Sequence, residues 1–355
     1  MKKITSMILA LVFAVSVIGS ASAKTLKIQL TFPKTSYDGQ IVKMWTDRVT
    51  KLTRGELKFE LLSKGEVVGM KETLEAVDKG LVDGGAAWTH YWSNYHPAAM
   101  LFGSPVAGGG IGLSTKSWLA WYFDNGGKEL YDQLWSEMGM NVKGFVMASS
   151  GPEALGWFKE PIKNMDDFRK YRFRTPPGIP GQTYKDIGIA SVSLSGGDIL
   201  PALEKGTIDA AEWCCPKPDS VFGFQKVLKN YYLQGLHQNV VNGDIYINGD
   251  VYNSLTDHQK YAMEVASEAM ITRNITNRAV ENGKALIDLT ENHGVKLWDT
   301  PADYFTEYMN AAQATLKKNA ASNAFFKEVY EHMTAHAKIV VPFIAQMETS
   351  DASIG

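Results

Sequence analysis

The order of apolar and polar positions divides the chain before any single residue is weighed. Residues 7–18 (MILALVFAVSVI) form an apolar run behind Lys2 and Lys3, too short to span a bilayer. Ala21-Ser22-Ala23 follows as a small-x-small cleavage site, so residues 1–23 are expected to be a signal peptide; the alternative is an uncleaved anchor. Residues 25–31 (TLKIQLT) alternate apolar and polar side chains, which predicts a strand, then a loop over 33–39 and a helix. Residues 171–175 (YRFRT) open a second half in the same way, with a Pro/Gly loop over 176–181 and another helix. Residues 256–293 contain no Pro and one Gly, Gly283, behind the capping box Thr256-x-x-Gln259. Either one rod of about 55 Å or two helices broken near Gly283 fits that pattern.

The two halves also echo each other. Residues 72–85 (ETLEAVDKGLVDGG) and 198–211 (DILPALEKGTIDAA) share Leu, Ala, Lys, Gly and Asp at Leu74/Leu200, Ala76/Ala202, Lys79/Lys205, Gly80/Gly206 and Asp83/Asp209. Each copy reads as a helix, a Gly that closes it, and a short strand soon followed by Trp88 or Trp213. Coincidence between two ordinary helix–turn–strand units is the competing explanation. Two α/β lobes with a ligand cleft between them is the architecture this predicts.

Composition narrows the function classes. The chain has 355 residues, enough for two domains, and is 45% hydrophobic and 21% charged, as in a globular protein. Lys+Arg is 36 against Asp+Glu 38, which gives no basic field for nucleic acid. The only cysteines, Cys214 and Cys215, are adjacent, which excludes a disulfide scaffold, a zinc ribbon and an iron–sulfur centre. Gly108-Gly109-Gly110-Ile111-Gly112 lacks nucleotide-loop spacing and reads as a flexible loop; His332 and His336 read as a solvated helix face. No P-loop, GxSxG elbow or HExxH is present.

Three clusters place polar residues where a scaffold does not need them. Arg174 ends a strand before a Pro/Gly loop, suited either to a carboxylate or to a surface ion pair. Glu212-Trp213 ends the second echo strand, and a carboxylate beside Trp needs a cation or an Arg unless it lies at a helix N-terminus. Glu153 sits in SSGPEALGW and is, taken alone, an ordinary loop acid. Trp88, Tyr91, Trp92 and Tyr95 are either a pocket wall or core.

Together these segments resemble the extracytoplasmic solute receptors of TRAP transporters, the DctP-type family, over nearly the whole chain beyond residue 23. GPEALGWF, YRFR, GGDILPALEKGTIDAAEW and GFQKVLKNYY carry the likeness, which is to the branch that binds 2-oxo acids and lactate-like acids with a metal ion. The resemblance implies a two-lobed periplasmic binding protein fold: lobe I mainly 24–150, lobe II mainly 151–255, a spine helix over 256–294, and a C-terminal helical segment over 295–355. It implies that Arg174 clamps a monocarboxylate, that Glu212 and the Trp213 carbonyl hold the metal, and that Tyr91 and Trp92 wall the pocket. Ser149, where Asn is common, and Glu153, where Gln is usual, complete the expected ligand contacts, with Glu153 also a metal ligand. A TRAP membrane permease and a homodimer through the C-terminal helices are the implied partners.

Glu153 changes the charge count. Arg174, Glu212, one ligand carboxylate and Na⁺ sum to zero; an ionised Glu153 restores neutrality only with a divalent ion such as Ca²⁺. The alternatives are a protonated Glu153 or one bonded to a ligand hydroxyl. Cys214-Cys215 is either a vicinal disulfide or two buried thiols. A secreted metal-dependent lyase or hydrolase using Glu153 as base, and a sensor-coupled receptor, are the competing functions.

Overall fold

The computed structural model describes residues 23–194 and 196–352, so the expected signal peptide lies, Ala23 aside, outside the described residues. The first sheet has the order β2 (Leu57–Leu62), β1 (Lys24–Leu30), β3 (Gly84–Trp88), β10 (Val241–Asn248), β4 (Val142–Ser150). The second runs β11 (Lys296–Trp298), β9 (Asn230–Tyr232), β5 (Gly156–Phe158), β8 (Ala210–Ala211), β6 (Arg172–Thr175), β7 (Ala190–Ser193).

The echo in sequence is an echo in topology. β1 is parallel to both β2 and β3, and β6 is parallel to both β7 and β8. β3 and β8 then each gain an antiparallel neighbour, β10 and β5. The shared glycines close the two helices in the left-handed region, Gly80 at φ 70° and Gly206 at φ 66°, where a side chain is strained. The shared aspartates do matching work: Asp83 accepts the Lys27 backbone N–H at 2.7 Å, and Asp209 accepts that of Arg172 at 3.3 Å. Arg172 itself is exposed and pairs with Asp209.

The lobes are not contiguous in sequence. β10, inside the 151–255 stretch, returns to the first sheet, because all eight of its residues are buried and it needs a strand on each edge. The long helix is unbroken over Asp257–Asn292, 36 residues or about 54 Å, and Gly283 meets nothing that would bend it. It packs on β4 and the Tyr37–Leu52 helix of one lobe and on the Pro216–Phe222 helix of the other. Trp45 Nε1 donates to Ser267 Oγ at 2.8 Å, and Asn282 Oδ1 accepts the Lys217 N–H at 2.9 Å.

The C-terminal helices fill the space beside both lobes. Tyr304, Tyr308, Leu316, Phe326, Val329 and Met333 of these helices join Phe173 and Tyr184 of one lobe to Trp121 of the other in a single buried cluster. Two expectations are corrected here. The 108–112 segment is a packed turn, with Gln313 Nε2 donating to Gly110 O at 2.8 Å, rather than a free loop. The expected solvated face holds for one histidine only: His332 is exposed, although it accepts from Trp121 Nε1 at 2.9 Å, whereas His336 is buried against Asn125 and the Ser117 carbonyl. Their helix lies against the lobe I helices, so its inner stripe is covered whatever its polarity. No helix among the described residues is long and apolar enough to cross a membrane.

Candidate functional site

Strand register builds the centre of the site. Arg174 in β6 stands beside Ala211 in β8, so Glu212, the next residue, reaches it. Arg174 Nη1 donates to Glu212 O at 2.9 Å and to Glu212 Oε1 at 2.5 Å, and both side chains are buried. Its Nε and Nη2 both donate to Leu194 O, at 3.0 and 2.9 Å, and the guanidinium lies 5.0 Å above the Trp213 ring. A planar fork over an indole, with a carboxylate at one edge, holds its orientation tightly.

Glu153 comes to the same place through backbone pairing. Its N–H donates to Gln238 O at 3.1 Å, and the next N–H, of Ala154, donates to Cys214 O at 2.8 Å. Glu153, Glu212 and His237 then offer ligand atoms that lie within 4.8 Å of one another, all three buried. Glu153 Oε2, Glu212 Oε2 and both ring nitrogens of His237 have no hydrogen-bond partner, although His237 Nε2 approaches Glu212 Oε2 to 3.5 Å. Burial, and after it the Glu212 charge, hold the Glu153 carboxyl well above the usual range. Two buried carboxyls meet here, Glu212 bonded to Arg174 and Glu153 with its Oε2 unpartnered, and the partnerless acceptors fit a cation.

The opposite wall comes from lobe I and the long helix. Trp88, His90 and Tyr91 face the cavity, and so does Arg278. Arg278 Nη2 donates to Asp38 Oδ1 at 2.9 Å, and its guanidinium stands 4.9 Å from the Tyr37 ring and 5.7 Å from Trp88. The cavity measures about 60 Å³, room for roughly four to six water-sized groups. Cys214 lines it; Cys214 and Cys215 are both free thiols in this structure. Asp219 fixes their loop, accepting both cysteine N–H groups at 3.0 and 3.2 Å together with Trp157 Nε1 and Tyr231 OH, each at 2.9 Å. Burial pushes the Asp219 carboxyl up to about 7.

Of the residues expected from sequence, Arg174, Tyr91, Glu153 and Trp213 line the cavity, and Glu212 lies behind Arg174. Trp92 does not join them. In the tight turn Thr89–Asn94 it is buried in the core and packs edge-on against Tyr246 at 5.9 Å. Ser149 is also placed elsewhere, buried in β4 with its hydroxyl donating to Asn242 Oδ1 at 2.6 Å. His237, Arg278 and Asp38 were not legible as site residues. Arg278 left one trace: with Asn274 it interrupts the buried face of the long helix, Ala266, Met270 and Ile271 lying on that face before them.

A small cleft between two α/β lobes, lined by buried charge, is the arrangement of a ligand-binding site at a domain interface. Comparison with known proteins agrees. The model of bacterial extracellular solute-binding protein family 7, DctP, matches residues 30–323, and the chain belongs to that family. A monocarboxylate 2-oxoacid-binding periplasmic protein of Nostoc sp. is 32% identical over 298 residues, covering 82% of this chain and 78% of that one. A TRAP solute-binding protein from Bordetella bronchiseptica, with copurified calcium and picolinate, superposes with a TM-score of 0.85 at 24% identity, covering 94% of this chain and 97% of that one. One from Colwellia psychrerythraea, with calcium and pyruvate, gives 0.85 at 22% identity over 94% and 98%. The chain is therefore an extracytoplasmic solute receptor and not the lyase or hydrolase weighed above.

Proposed function

We propose that this receptor works in the periplasm, captures a small monocarboxylate with a 2-oxo or 2-hydroxy group together with a cation, and hands it to a TRAP membrane permease. The observation that carries this is the group of buried, partnerless acceptors on Glu153, Glu212 and His237 beside the Arg174 guanidinium. Glu153 and Glu212 by their side chains, and Trp213 by its carbonyl, would hold the cation, with His237 steadying Glu212. A cation there supplies positive charge to the carboxylate and 2-oxygen of the acid. With Glu153 ionised by the bound ion, the charge count favours a divalent one, Ca²⁺ ahead of Na⁺; with Glu153 protonated, Na⁺ suffices. Arg174 meets the ligand carboxylate with the Nε/Nη2 edge that donates to Leu194 O in this structure. Tyr91 and Trp88 close the opposite side, and binding draws the lobes together as a population shift.

The cavity has room for small acids such as pyruvate and lactate. Pyruvate and lactate, added with Ca²⁺ to chelator-treated protein, are expected to raise the unfolding temperature; saturation at a hundred times Kd corresponds to about 2.7 kcal/mol. Chelator alone should remove the effect. A panel of such acids that stabilises nothing, with or without metal, overturns the reading.

A second copy of the chain is the proposed partner at the last helix. Ile339, Phe343 and Met347 are 73%, 64% and 59% exposed, each one turn from the next along the last helix. Light scattering should find a dimer that Phe343→Glu converts to monomer; a monomeric unaltered protein at micromolar concentration rejects it.

A further inference from the structure

The two tryptophans that follow the echoed strands each carry a guanidinium. Trp213 lies under Arg174, and Trp88 lies beside Arg278. Two Arg–Trp pairs thus line one cavity, one from the second sheet and one formed between the first sheet and the long helix. Their hydrogen bonding differs. Arg174 donates four bonds to oxygen acceptors. Arg278 donates one, to Asp38. Among the described residues its Nη1 meets only sulfur, Cys214 Sγ at 3.4 Å and Cys215 Sγ at 3.7 Å, and its Nε has no partner. Sulfur is a weak acceptor, and a buried guanidinium short of oxygen partners is costly.

We propose that Arg278 is a specificity-determining residue that selects acids carrying a neutral hydrogen-bond acceptor, a hydroxyl or carbonyl oxygen, on the carbon beyond the 2-position. The reasoning rests on the carboxylate reading given above and extends it to the far end of the ligand. A second carboxylate is the wrong partner, because Asp38 already matches the Arg278 charge at 2.9 Å and another anion would be buried without a counter-ion. A neutral oxygen supplies the missing acceptor and leaves the charge balance intact. An alkyl end of the same size leaves the donors as they are.

The test compares 3-hydroxypyruvate with 2-oxobutyrate, which differ by a hydroxyl in place of a methyl group, with pyruvate as reference. Calorimetry on the full chain with Ca²⁺ should give 3-hydroxypyruvate a preference of roughly ten- to a hundredfold over 2-oxobutyrate. In Arg278→Met combined with Asp38→Asn, which removes both members of the ion pair, the ratio of 3-hydroxypyruvate to 2-oxobutyrate affinity should fall to about one, whatever the change in pyruvate affinity common to all three acids. Arg278→Lys keeps the charge without the planar fork and should retain only part of it. Equal affinity of the unaltered protein for the two acids overturns the inference by itself, with no variant needed. Loss of pyruvate binding in the double variant to the same degree as 3-hydroxypyruvate binding also overturns it. If pyruvate fails to bind the unaltered protein, the carboxylate reading falls and this one with it.

Discussion

Glu212→Gln is expected to abolish cation-dependent acid binding while leaving the fold in place. Glu212 is fully buried, and Arg174 contacts it twice, through its backbone carbonyl and through Oε1. Gln keeps both acceptors, so the geometry around Arg174 survives. The charge does not. Arg174 loses its counter-ion, and the cluster with Glu153 and His237 loses one of its two carboxylates. Removing one member of a buried charge pair costs about 3–5 kcal/mol, a factor of roughly 10² to 10³ or more in an equilibrium constant. Calorimetric titration with Ca²⁺ and pyruvate should show a loss of that size, with circular dichroism unchanged. Glu153→Gln is the informative companion. It restores the residue usual in the resembled branch, so acid binding should persist with Na⁺ replacing Ca²⁺ as the sufficient ion. A Glu212→Gln protein that binds as tightly as the unaltered one would remove this residue from the site.

The second large effect is on stability and lies away from the cleft. Asp244 in β10 is fully buried, and its Oδ2 accepts from Thr89 and Tyr131 at 2.8 and 2.9 Å. Burial pushes its carboxyl from 3.8 to about 7, against the lowering effect of those two bonds. Between those values the folded chain holds a proton that the unfolded chain releases. Stability therefore falls as pH rises from about 4 to about 7, and the loss is complete above the folded value. At 1.36 kcal/mol per pH unit the loss from this group is roughly 4 kcal/mol. Asp244→Asn cannot ionise and should lack that part of the slope. Denaturant titrations at pH 4.5 and pH 8 should show the variant losing less stability between them than the unaltered protein. Asp219 contributes in the same direction in both proteins, so the difference isolates Asp244. Parallel pH profiles would reject the assignment.

The parts of this protein that were legible in its sequence are those in which neighbours along the chain decide the outcome. The echo at 72–85 and 198–211 marks two matching units because a helix, its left-handed glycine and the following strand are local events. The Asp83/Asp209 identity marks the same backbone contact in both sheets. The capping box at Thr256 and the absence of Pro after it mark a long helix. Whether Gly283 breaks that helix was open, because a lone Gly weakens a helix by only about 1 kcal/mol and packing decides.

Tertiary structure decided the rest. Tyr91 and Trp92 are neighbours in sequence, but a turn sends one to the cavity and the other to the core. Ser149 and Glu153 belong to one motif, yet a strand carries the first into the sheet and a loop delivers the second to Glu212. His237 and Arg278 carried no local signal strong enough to name them, since a lone His or helical Arg is ordinary until its surroundings are known. The pattern of apolar and polar positions predicted two lobes and a long helical stretch, because burial patterns are written into each segment. It could not say that β10 crosses back to the first sheet, or that Arg278 from the rod faces Arg174 from a strand. Those depend on contacts across more than a hundred residues, where each partner's pattern is satisfied by many alternatives and only the assembled fold selects one.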